Sequence, residues 1–120
     1  MNTVVQPEPS IVLMRAFNKA CEELSISRQD KSKILGVDVS TLHRKASVGF
    51  SPQSKTGELQ LHFIRLYRSL FAIAGGDPEF MQHWYTTQNK ALNGTPMTLC
   101  KTIQGLLSVN QYLDAMRGKI

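Results

Sequence analysis

The chain has 120 residues, enough to bury a core without disulfides or metals, and its 42% hydrophobic and 19% charged residues exclude a disordered chain. The formal net charge of +5 is unevenly placed: Arg28, Lys31, Lys33, Arg44, Lys45 and Lys55 are opposed only by Asp30 and Asp38. Such a cluster is an ordinary solvated surface unless a fold gathers it on one face, in which case it points to a polyanion.

Residues 1–10 carry Pro7 and Pro9 without a periodic pattern and read as a flexible arm ending at a helix cap, Ser10. Next, Ile11, Met14, Ala16, Phe17, Ala20, Cys21 and Leu24 fall at the three-and-four spacing of a buried helical face. Ser25-Ile26-Ser27 interrupts that pattern, and Ser27 caps a short second helix with Asp30 in its first turn and Ile34 and Leu35 inward. Gly36 ends it, because glycine enters the left-handed region without a Cβ penalty. Asp38 caps a third helix whose inward face is Val39, Leu42 and Ala46, with its polar side chains on the other faces.

Residues 47–57, with Gly49, Ser51, Pro52 and Ser54, read as a loop and an internal boundary. The strongest helical segment follows over 58–74, where Leu59, Phe63, Leu66, Tyr67, Leu70, Phe71 and Ile73 make an apolar face wide enough to require a cover. Gly75-Gly76 stops it, and Asp77-Pro78-Glu79 opens a helix packing through Phe80, Met81, Trp84 and Tyr85. Asn93-Gly94 then reads as a helix stop, Thr95-Pro96 as a start, and Gly105 as a break before a last helix with Leu106, Leu107, Val109, Tyr112, Leu113 and Met116. No stretch alternates long enough to be a strand, so the fold is expected to be all-α, an N-terminal helix-turn-helix bundle joined to a small helical module. The expected divisions are an arm over 1–10, a helix-turn-helix domain over 11–57, a connecting or dimerising helix over 58–76, and the module over 77–120.

A helix-turn-helix needs a scaffold helix, a tight turn and a second helix whose exposed side can enter the major groove, and residues 28–47 supply all three. The premise is that Gly36 turns the backbone so that the cationic third helix presents its polar side outward. The candidate DNA contacts are Arg28, Lys31, Lys33, Val39, Ser40, Thr41, His43, Arg44 and Lys45. Lysines at 31, 33 and 45 would meet phosphates and supply affinity, while Arg44 on a guanine edge, with His43 or Ser40, would discriminate between sequences. Around its Ile34 to Leu42 centre, this segment resembles the Xre/Cro-type repressor motif. It departs from that pattern with Ser32 where a small alanine is usual and Arg28 where glutamine often begins the scaffold helix.

The second half, by its order of Trp84, Asn89, Ala91-Leu92-Asn93-Gly94, Thr95-Pro96, Leu99, Gly105 and residues 109–113, resembles the toxin-binding domain of the Xre/MbcA/ParS antitoxin family. Read from the residues alone, the glycines and Thr95-Pro96 mark helix ends, and Trp84 and Leu99 are core. The resemblance implies an antitoxin that represses its own operon and neutralises a companion RES-domain toxin, which consumes NAD. It also implies toxin contacts from the last helix and tail, at Tyr112, Met116, Arg117 and Lys119. Arg117 and Lys119 are expected beyond the last apolar anchor, exposed and mobile.

His43, His62 and His83 are far apart, and no metal-ligand set, phosphate loop or nucleophile elbow is present, so neither an enzyme nor a cofactor is expected. Cys21 and Cys100 suit two reduced thiols. No apolar run nears the roughly 20 residues needed to span a bilayer, and no signal peptide is visible, so a cytoplasmic protein is expected. The competing reading is a plain transcriptional regulator whose second half only dimerises, through Phe63, Tyr67, Leu70 and Phe71.

Overall fold

The computed structural model describes residues 6–119 as seven helices: α1 (Pro9–Glu23), α2 (Arg28–Leu35), α3 (Val39–Lys45), α4 (Lys55–Ala74), α5 (Pro78–Thr86), α6 (Pro96–Leu99) and α7 (Ile103–Arg117). No strand occurs among the described residues, only an isolated bridge between Asn89 and Gly94. The architecture is therefore all-α.

Local chemistry sets most of the helix starts. Ser27, Asp38, Ser54, Asp77, Thr95 and Thr102 each sit in extended backbone and accept a hydrogen bond from an otherwise unpaired N–H in the first turn that follows. Ser10 does not have this role. Pro9, whose fixed φ and missing N–H suit the first helical position, starts α1 two residues ahead of Ile11, and the Ser10 hydroxyl instead donates to the Val48 carbonyl at 2.8 Å. The part of the expected arm at residues 1–5 lies outside the described residues. The cap at Ser54 likewise starts α4 at Lys55, three residues ahead of the position expected from its apolar pattern.

Helix α4 is the axis of the molecule. Against α1 it pairs Gln60 with Met14 and Phe63 with Phe17. Against α7 it pairs His62 with Asn110, Arg65 with Asp114 and Ser69 with Arg117, at sequence separations of 48, 49 and 48 residues. Near-constant separations mean that α1, α4 and α7 all run in the same direction, with α2–α3 crossing over between the first two and α5–α6 between the last two. One core fills the space between them: the Phe63 ring meets Phe17 at 5.6 Å and Tyr85 at 6.1 Å, both edge to face, so a single side chain joins the two halves.

Two glycines act differently from the sequence expectation. Asn93-Gly94 ends no helix: α5 stops at Thr86, and Asn89 instead binds the Ala91 and Leu92 amides and bridges to Gly94, closing a small turn with Asn93 at φ 56°. Gly105 is no break, because it lies in the first turn of α7, where a Cβ would sit 2.0 Å from the Leu99 carbonyl oxygen. Its missing side chain lets the α6 turn lie directly on α7. Leu13, outside the expected α1 face, is also buried, while Ile11 and Ala16 are only half-buried.

Candidate nucleic-acid and toxin-binding faces

The turn between α2 and α3 is built as the sequence requires. Gly36 stands at φ 67° and ψ 28°, its N–H and that of Val37 both donating to the Ser32 carbonyl, and Asp38 restarts the chain by accepting from the Thr41 amide at 2.7 Å. Hydrogen bonds from Thr41 and Ser40 hold the Asp38 carboxyl below its ordinary range, so it stays ionised and capping.

Helix α3 buries none of its residues. Leu42 is half-buried against the core, whereas Val39 and Ala46, expected inward, are exposed and line an open recess beside it. The polar side faces outward, as the premise demanded. Arg28 and Lys31 of α2 join Val39 and His43 of α3 around a recess of about 170 Å³ that Asn18 of α1 completes. Lys33, Arg44 and Lys45 are exposed but lie outside that recess.

Hydrogen bonds order this face. The Arg44 guanidinium donates to the Thr41 hydroxyl at 3.1 Å, Ser40 donates to Asp38 at 3.1 Å, and the Lys31 ammonium donates to Asn18 at 3.4 Å. Thr41 and Ser40 thus partly serve the helix itself. Both acids of the region are occupied, Asp38 in its cap and Asp30 in an ion pair with Lys101 at 3.3 Å, which leaves the cations to set the sign of the field. Asn18 and Lys101 escaped the sequence reading. Asn18 shares a side of α1 with Met14, a signal available in the spacing, but Lys101 comes from the α6–α7 turn and gave none.

At the other end, the Trp84 ring stacks on Tyr112 with centroids 6.3 Å apart and 19° between planes, both rings half-buried. Met116 is one turn further along α7 on the same side, and the Lys119 amide donates to the Met116 carbonyl just past the helix end. Arg117 diverges from them. It is the last residue of α7 rather than a free tail, and its guanidinium reaches across to the buried Ser69 hydroxyl on α4 at 3.3 Å. Of the expected contacts, Tyr112 and Met116 therefore lie on a different side of the helix from Arg117, and Lys119 lies beyond its end.

The face assigned to dimerisation is also divided: Phe63 and Leu70 are fully buried in the chain's own core, and only Tyr67 and Phe71 reach the surface. Cys21 and Cys100 are free and buried, and burial pushes both thiols up to about 12. Neither is poised as a nucleophile.

Residues 4–65 match the family model of the antitoxin Xre-like helix-turn-helix domain. The chain belongs to the Xre-like antitoxin family. Residues 69–119 of this antitoxin match the model of the antitoxin Xre/MbcA/ParS C-terminal toxin-binding domain, so the two matched regions meet inside α4, the helix that both halves of the core share. No curated protein matches the chain. The protein is thus an antitoxin carrying a helix-turn-helix and a toxin-binding domain, and no helix among its described residues is long and apolar enough to cross a membrane.

Proposed function

We propose that this antitoxin neutralises a RES-domain toxin that degrades NAD, covering its active site with α7, and represses its own operon by binding operator DNA as a homodimer in the cytoplasm. The observation that carries the reading is the union in one chain of a reading helix with no buried residue and a toxin-binding domain built on the same core. Arg28, Lys31, Lys33 and Lys45 would hold phosphates, whose displaced counterions make binding fall steeply with salt. Arg44 and His43 would read base edges, with Val39, Ser40 and Thr41 beside them at the start of α3. Tyr112 and Met116, one turn apart on α7, would meet the toxin together with Lys119 just past its end, and Arg117 would add its charge from its seat on Ser69.

Co-expression with the product of the neighbouring gene tests the neutralising half. The two proteins should co-purify, and the neighbour alone should arrest growth and deplete NAD; a neighbour that changes neither removes the RES reading. A gel shift on the upstream DNA at two salt concentrations tests the other half, and binding with neither sequence preference nor salt dependence removes the repressor. The plain-regulator alternative is weakened by Phe63 and Leu70, which are already enclosed within one chain.

A further inference from the structure

Away from the reading helix, α1 and α4 leave a trough between them. Two hollows of about 640 Å³ and 350 Å³ share Ala16, Ile64 and Arg68 and so form one continuous groove. Along its walls lie Val12 and Leu61 in the first hollow and Phe71 in the second, each left nearly half exposed at 49%, 48% and 46%.

Among the described residues every charged side chain that lines the groove is cationic: Lys19, Arg65, Arg68 and Arg117. Arg65 is paired with Asp114 and Arg117 is bonded to Ser69, but Lys19 and Arg68 have no ion pair among the described residues. These charges are not part of the DNA-reading surface: Val12, Ala16 and Lys19 fall at four- and three-residue steps on one side of α1, whereas Met14 and Asn18, which line the recess beside α3, occupy another.

We propose that this trough docks an amphipathic helix with an acidic surface, supplied by a protein partner. Apolar side chains at i, i+4 and i+7 of that helix would lie over Ala16 and Ile64 between the exposed Val12, Leu61 and Phe71, while flanking carboxylates meet Lys19 and Arg68. A second copy of this chain is the poorer occupant, since a two-fold arrangement would set the two cationic rims against each other. The inference does not depend on the identity of the toxin.

The test uses the full-length protein and a fluorescent synthetic helix of about 18 residues, with leucine and phenylalanine at i, i+4 and i+7 and glutamate elsewhere. Binding is read by anisotropy beside two controls, the same peptide with lysine for every glutamate and a scrambled peptide of the same composition. The acidic helix should bind, more weakly at high salt, and Arg68→Glu or Leu61→Asp should each weaken it about tenfold without changing operator binding or the circular dichroism spectrum. Absent binding, or equal binding of the scrambled peptide, overturns the proposal. So does a dimer in sedimentation that Leu61→Asp dissociates, which assigns the groove to a second copy, or binding that emerges only after residues 1–5 are deleted, which assigns it to the chain's own arm. An equal loss of operator affinity in Arg68→Glu overturns it in favour of DNA.

Discussion

The reading helix and the last helix make opposite use of their residues. α3 buries none of its seven, whereas α7 of fifteen residues buries Gly105, Leu106, Val109, Asn110 and Leu113. Hence α3 is held almost wholly by its ends, through the Gly36 turn, the Asp38 cap and the single anchor Leu42, and its side chains are free for a ligand. One full side of α7 is committed to the core, and Tyr112 and Met116 lie half-buried at its edge. A display element can change its contacts without endangering the fold, while a structural element that also binds cannot.

Substitution separates these cases, with the largest effect at the residue that joins them. Phe63→Ala removes the ring between Phe17 and Tyr85 and should cost about 3–5 kcal/mol. Denaturant unfolding followed by Trp84 fluorescence and by far-ultraviolet dichroism should still give one coincident transition; two separate midpoints would mean that the halves fold apart and break the comparison. Gly105→Ala comes next, at about 3 kcal/mol, because its Cβ would meet the Leu99 carbonyl. A neutral outcome in a melting experiment would restore this glycine as a mere helix break.

On the display side the effect should move from stability to recognition. Arg44→Ala should lower discrimination of the operator from a mismatched site by about 1–3 kcal/mol in a competition gel shift. Its unfolding free energy should stay within about 0.5 kcal/mol of the parent, and a larger shift would show that α3 is structural after all. The smallest effect is set by pH. With both thiols raised from 9.0 to about 12 in the native state, the unfolded chain releases their protons first as pH rises, so stability falls between about pH 9 and 12 and is unaffected at neutral pH. By pH 10 the loss should be about 1–2 kcal/mol per thiol, and it should vanish from the pH profile of a Cys21→Ala and Cys100→Ala double variant.

What could be read from the sequence was what depends on near neighbours. Ser27, Gly36, Asp38, Gly75, Asp77 and Thr95 sit at the helix ends assigned to them, because capping and left-handed turns are settled within four residues. The errors arose where contacts outside the capping pattern decide. Gly105 resembles a helix stop until the Leu99 carbonyl lies on it, and Asn93-Gly94 resembles one until Asn89 folds back. Arg117 resembles a free tail until Ser69 is seen beneath it, 48 residues earlier. The apolar face of α4 was recognised as needing a cover, but periodicity alone cannot distinguish a second chain from α1, α5 and α7 of the same one. For the candidate site the same division holds: the polar exposure of α3 was visible in its pattern, while the partners Asn18 and Lys101 were not.

The shared direction of α1, α4 and α7 bears on how the antitoxin assembles. Each of these contacts spans nearly fifty residues, where an up-and-down bundle of hairpins would bring helix to helix across a short loop. Loop closure must therefore precede most of the stabilising burial, and folding should be slower than is usual for so small a helical protein. During synthesis the flank of α4 that receives Asn110 stays wet until α7 has emerged, so the core that joins the two halves closes only after both crossovers are made.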